Sequence, residues 1–139
     1  MSAEWWAGAV RVFLDTNVWL SAAVFPGLCA ELLLEIDARG HCILTSALVR
    51  EEAHAVLRRK FPRHGPALER FDALWACAAL VPDVAEPAAD ADARLVAAAH
   101  TAGAEVFITG DPRVLGWDPR GSLRIFSPRQ AWEQVILMR

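Results

Sequence analysis

Short strand-forming apolar runs alternate with stretches of helical periodicity along this chain, and that alternation constrains the fold more than any other feature. Val10-Arg11-Val12-Phe13-Leu14 is rich in β-branched and aromatic residues and reads as a buried strand. A helix is expected from about Pro26 to Arg39, with Pro26 suited to its first turn and Gly40 to its stop. Cys42-Ile43-Leu44 reads as a second strand, after which Ser46 can cap a helix running to about Lys60 and ended by Pro62. Leu68, Phe71, Leu74, Trp75 and Ala78 recur at helical spacing and predict a helix over 67–79, with a brief strand at Leu80-Val81. Beyond Pro87-Ala88-Ala89 an alanine-dense helix runs to Ala102, with Gly103 as its C-terminal cap, and leads into the strand Val106 to Thr109. A last strand, Leu123 to Phe126, is followed by Ser127-Pro128-Arg129-Gln130, a capping box with Pro at the first helical position, which opens a helix through Leu137. Repeated β-α units of this kind imply a parallel sheet with helices on both faces and right-handed crossovers.

At 139 residues, with 55% hydrophobic and 22% charged residues, the chain has enough apolar material for about one domain. Its longest apolar run, Val18 to Ala30, falls short of the ~20 residues of a membrane span and contains Ser21, Pro26 and Gly27. Met1 to Trp6 carries no basic segment ahead of an apolar one, so no signal peptide is expected and the cytoplasm is the default location. Cys29, Cys42 and Cys77 are widely spaced in apolar text and read as reduced core residues, with no CxxC pair to suggest zinc. His41, His54, His64 and His100 are scattered and read as surface or packing residues. A net charge of −3 argues against strong sequence-independent binding of duplex nucleic acid.

Four acids stand where they can do chemistry. Asp15 ends the first strand and Asp111 follows Val106-Phe107-Ile108-Thr109-Gly110. In an open parallel sheet ligands bind beyond the carboxyl ends of the strands, where the strand order reverses, so these two strands are expected to be neighbours. At about 100° per residue, Glu52 falls within the apolar arc of Leu48, Val49, Ala53, Val56 and Leu57, whereas Glu51 points away. Likewise Asp92 falls on the side of Leu95, Val96, Ala99 and Ala102, and Asp90 on the other, as a cap or first-turn acid. Any one of these acids alone reads as a solvated or capping carboxylate. Together on inward faces they are costly without compensation, and a divalent metal is the simplest compensation.

Phe13-Leu14-Asp15-Thr16-Asn17-Val18-Trp19, the segment Ser46 to Glu52 followed by Val56-Leu57-Arg58, Asp92-Ala93 at the head of an alanine-rich helix, and Ile108-Thr109-Gly110-Asp111 resemble, in order and spacing, the PIN domain. The resemblance runs from about Val10 to Val135 and is nearest to prokaryotic PIN proteins that are toxin components of toxin–antitoxin pairs. It implies a three-layer α/β/α sandwich with a central parallel sheet over 10–139, residues 1–9 being an N-terminal extension. It also implies a Mg²⁺- or Mn²⁺-dependent ribonuclease acting on single-stranded RNA, with Asp15, Glu52, Asp92 and Asp111 as metal-binding and catalytic acids and Asn17 and Thr109 as their polar neighbours. Partners that go with it are single-stranded RNA, an antitoxin protein and a second copy of the chain. The chain departs from the family pattern in having Ala91 before Asp92, so Asp90 competes for the third acid's place. The family supplies no role for Trp5-Trp6.

The residues support the same chemistry directly. Hard oxygen ligands select Mg²⁺ or Mn²⁺ over zinc, and a metal-activated water needs no side-chain nucleophile, leaving 5′-phosphate and 3′-hydroxyl ends. A haloacid-dehalogenase-type phosphatase needs an acid where Asn17 stands, and a phosphoacceptor receiver needs a lysine after its last strand, whereas Lys60 is the only lysine. The remaining alternative is a catalytically inactive PIN fold that serves as an RNA-binding or partner-binding scaffold. Arg58-Arg59-Lys60 with Arg63-His64 reads first as cations at a helix C-terminus, and secondarily as a phosphate-tracking rim. Trp19 reads as a core residue before a base-stacking one, and Trp5-Trp6 as a partner patch if unpacked.

Overall fold

In the computed structural model the described residues are 8–60, 65–85 and 90–138. The order is β1 (Arg11–Leu14), α1 (Thr16–Val24), α2 (Leu28–Ala38), β2 (Cys42–Thr45), α3 (Ala47–Lys60), α4 (Gly65–Trp75), β3 (Ala78–Leu80), α5 (Ala91–Thr101), β4 (Val106–Ile108), α6 (Pro112–Leu115), β5 (Arg124–Phe126) and α7 (Pro128–Ala131), which runs on as a π-helical turn, Trp132–Leu137. The five strands form one all-parallel sheet in the order β3-β2-β1-β4-β5. Val12, Phe13 and Leu14 are all buried, as are Val106, Phe107 and Ile108. Successive strand residues point to opposite faces, so burial of consecutive residues means that both faces are covered: the molecule is a three-layer α/β/α sandwich. Phe13 and Phe107, opposite one another in the β1–β4 register, stack at 5.6 Å and tie the centre of the sheet together.

Most elements fall where periodicity puts them. Gly40 and Gly103 sit at φ 79° and 77° just past α2 and α5, turning the chain into β2 and β4 through a conformation that side chains with a Cβ resist. Ser127 and Gln130 form the reciprocal capping box with Pro128 in the first turn.

Four expectations need correction. First, the helix expected from about Pro26 is preceded by another that was not expected. A separate helix, α1, starts directly after Asp15 and stops at Phe25, whose extended backbone is what a following proline requires, and α2 starts only at Leu28. The two helices meet at 103°, and among the described residues no single helix is long and apolar enough to cross a membrane. Second, Ser46 does not cap α3. Its hydroxyl is buried with no hydrogen-bond partner, and the Asp83 carboxylate, arriving from the segment after β3, takes the Leu48 N–H at 3.2 Å. A full negative charge at a helix N-terminus is favoured by the dipole in a way that a hydroxyl is not. Third, α4 ends at Trp75 and β3 begins at Ala78, a few residues ahead of the expected boundary. Fourth, Cys42 and Cys77 are exposed, because one opens β2 at its solvent end and the other lies in the turn before β3. Cys29 is half-buried, and all three are free thiols.

Trp19 is fully buried, packed edge-on to Phe71 at 5.8 Å and tilted against Trp75 at 5.3 Å, which docks α4 on α1 and removes any base-stacking role. Arg58, Arg59 and Lys60 form the exposed last turn of α3. Trp5-Trp6, Pro62, Arg63-His64 and Pro87-Ala88-Ala89 lie outside the described residues.

Candidate active site at the carboxyl edge of the sheet

The sheet order places β2 on one side of β1 and β4 on the other, so the strand order reverses at the β1–β4 pair. Pairing continues one residue past β1, the Asp15 N–H donating to the Ile108 carbonyl at 2.8 Å, which sets Asp15 beside Thr109. Both are buried. The Thr109 hydroxyl donates to Asp15 Oδ2 at 2.7 Å, and the Asn17 amide reaches the same oxygen at 3.3 Å. Asp15 Oδ1 accepts the Thr16 N–H at 2.8 Å as the N-cap of α1. Burial raises the Asp15 pKa to about 6, against the lowering effect of the Thr109 hydrogen bond, and the negative charges of Asp92 and Glu52 add to the rise.

Glu52 lies one and a half turns into α3 on its inward side and is half-buried, whereas Glu51 is exposed. The Thr16 hydroxyl donates to Glu52 Oε1 at 2.9 Å, which ties the first turn of α1 to α3. Burial again raises the pKa, with Asp92 adding to the rise and the Arg94 charge opposing it. On α5, Asp90 is the N-cap, accepting the Ala93 N–H at 2.8 Å, and Asp92 lies in the first turn. Asp92 is close enough to act electrostatically on both Asp15 and Glu52, yet its carboxylate is hydrogen-bonded by Arg113 at 2.7 Å, and the same guanidinium holds Asp90 at 2.9 Å.

Asp111 follows β4 as the N-cap of α6, accepting the Arg113 N–H at 2.9 Å. Its own N–H donates to the Thr109 hydroxyl at 3.1 Å, so that hydroxyl links Asp111 to Asp15. Asn17 is exposed and bridges α1 to the turn after β4, its carbonyl accepting the Gly110 N–H at 3.3 Å. Asp15, Glu52 and Asp92 therefore share one electrostatic environment, and Asp111 joins it through Thr109. Thr16 and Arg113 went unnoticed in the sequence. Thr16 had a signal, a hydroxyl between Asp15 and Asn17 in the first turn of a helix. Arg113 had none, since its partners lie 21 and 23 residues away.

The donor set is all oxygen, and a buried carboxylate with a raised pKa beside two other acids is stabilised by a cation. In its chemistry the site fits a divalent ion. As the side chains stand, no three His, Cys, Asp or Glu residues among those described converge on one point closely enough to ligate an ion.

Fold and site together define a Rossmann-like α/β protein with a cluster of acids at its topological switch point. A PIN domain profile matches residues 11–113, most of the chain and all four acids, and the chain belongs to the PIN domain family. Proteins of this family are generally metal-dependent nucleases and commonly bind nucleic acid. No curated protein matches the chain significantly.

Proposed function

We propose that this protein is a Mg²⁺- or Mn²⁺-dependent endoribonuclease for single-stranded RNA, acting in the cytoplasm as the toxin of a toxin–antitoxin pair, with 10–139 as one catalytic domain and 1–9 as an extension. The observation that carries the reading is Asp15, buried at the β1–β4 switch point with its pKa near 6 and with Glu52 and Asp92 acting on it. Asp15, Glu52, Asp92 and Asp111 are the residues that would hold the ion. When bound there, a divalent ion supplies Lewis acidity to water and to the scissile phosphate. Thr109 and Asn17 orient Asp15, and Thr16 orients Glu52. With an ion held there, water would be the nucleophile, so neither a side chain nor the RNA 2′-hydroxyl would take that part.

A fluorophore-quencher RNA assay with Mn²⁺ titration tests this. The parent should cleave, Asp15→Asn should not, a 2′-O-methyl substrate should still be cut, and the new ends should be 5′-phosphate and 3′-hydroxyl. A parent that cuts no RNA at saturating Mn²⁺, or cuts only where a 2′-hydroxyl is present, sinks the reading. For the toxin role, expression should slow growth, Asp15→Asn should abolish the effect, and a cognate antitoxin should restore growth. If intact chain is harmless while the purified protein cleaves RNA, the toxin part fails alone. One observation favours the second reading, an inactive RNA- or partner-binding scaffold: Asp92 is engaged by Arg113 at 2.7 Å. Mn²⁺-dependent cleavage that is lost in Asp15→Asn separates the two.

A further inference from the structure

Arg113 is the second residue of α6, two residues past Asp111, and reaches back across the carboxyl edge of the sheet to α5. One guanidinium nitrogen bonds Asp90 at 2.9 Å and another bonds Asp92 at 2.7 Å. The guanidinium lies 5.0 Å from the centre of the Trp117 ring, and about half of the Arg113 side chain is open to solvent. Asp90 has its own role as the cap of α5, so it does not depend on Arg113. Asp92 is different, because it faces Asp15 and Glu52 electrostatically and the arginine neutralises it there. A second cation that acts on this cluster, Arg94, is tied to the Val84 carbonyl at 3.3 Å.

A planar guanidinium binds carboxylates and phosphates with the same fork geometry. A cation that holds Asp92 competes with any second cation for it, and once displaced it remains at the rim, beside Trp117, with phosphate as the chemically equivalent partner. We propose that Arg113 exchanges partners: it is the resident counter-ion of Asp92 in the metal-free protein, yields Asp92 to a divalent cation, and then binds a phosphate of the RNA strand. This rests on the nuclease reading for the identity of its second partner, but not for the first half of the exchange.

The test uses the full chain and two variants, Arg113→Gln and Arg113→Lys, each checked by circular dichroism. Mn²⁺ affinity without RNA is measured by electron paramagnetic resonance. The pair is solvent-exposed, so the expected gain is modest, about two- to fivefold tighter Mn²⁺ binding for Arg113→Gln. Arg113→Lys should fall in between, because an ammonium keeps the charge but lacks the planar guanidinium fork, and it keeps the test alive if Arg113→Gln fails to fold. Affinity for a single-stranded oligoribonucleotide, read by fluorescence anisotropy with Ca²⁺ in place of Mn²⁺, should weaken in Arg113→Gln and partly recover in Arg113→Lys. Unchanged or weaker Mn²⁺ binding overturns the exchange at its first step, and unchanged RNA affinity overturns it at its second. Tighter Mn²⁺ and weaker RNA binding in variants of a parent that never cleaves RNA would sustain the exchange and sink the nuclease reading.

Discussion

Replacing Asp15 by Asn should make the metal-free protein more stable at neutral pH and less stable in acid. In the fold the Asp15 pKa is raised from 3.8 to about 6, roughly two units, and at about 1.36 kcal/mol per unit the folded state penalises the ionised form by about 3 kcal/mol. The sign follows from proton linkage. Between about pH 4 and pH 6 the native state binds a proton that the unfolded chain has already released, so parent stability falls as pH rises through that window and levels off above it. Asn escapes that loss. It also replaces Oδ2, which accepts from Thr109 and Asn17, by a donor, at about 1 kcal/mol for each disturbed hydrogen bond. The net gain expected for Asp15→Asn in EDTA is about 1–2 kcal/mol at pH 8, a few degrees in Tm, reversing to a loss of similar size near pH 4. Urea unfolding of both proteins in EDTA from pH 4 to pH 8 measures the difference, in which acids not coupled to Asp15 cancel. Parallel curves, with a difference that does not change across the window, would refute the assignment of a buried, raised carboxyl. Excess Mn²⁺ should restore the parent's advantage, because ligand binding stabilises only the chain that binds.

Glu52→Gln and Asp92→Asn should each lower RNA cleavage by at least about a hundredfold, while Glu51→Gln and Asp90→Asn change little; equal losses at 51 and 52 in a single-turnover assay would contradict the helix-face assignment. Thr109→Val removes the donor to Asp15 and the acceptor of the Asp111 N–H, and should cost about 1–3 kcal/mol in chemical denaturation and move the acid limb of the pH–rate profile upward, with Thr109→Ser retaining most of both. Trp19→Ala should cost about 3–5 kcal/mol by opening a core cavity between α1 and α4, whereas Trp19→Phe should fold with unchanged RNA affinity by anisotropy; a weakened affinity would revive base stacking.

What the sequence determined by itself is what short-range periodicity controls. The 3.6-residue repeat separates Glu52 from Glu51, and the structure keeps those sides, whereas Asp90 and Asp92, which the same repeat sets apart, are brought together by the one Arg113 guanidinium because Asp90 stands at the cap and not inside the helix. Consecutive apolar residues in Val12–Leu14 and Val106–Ile108 require strands buried on both faces, and alternation with helices makes the sheet parallel. The α1 helix escaped because its residues Val18, Trp19, Ala22 and Ala23 belong to a nearly continuous apolar run with little amphipathic contrast, divided at Pro26-Gly27. Tertiary structure decided everything that joins distant segments. Asp83 rather than Ser46 caps α3 across 35 residues, Thr16 reaches Glu52 across 36, and Thr109 reaches Asp15 across 94. Arg113 pairs with Asp92 only because α5 and α6 both begin at the carboxyl edge of the sheet. A hydrogen bond depends on ångström-scale placement of two side chains, and for residues far apart that placement is set by the crossovers and the packed core between them, which no local repeat encodes.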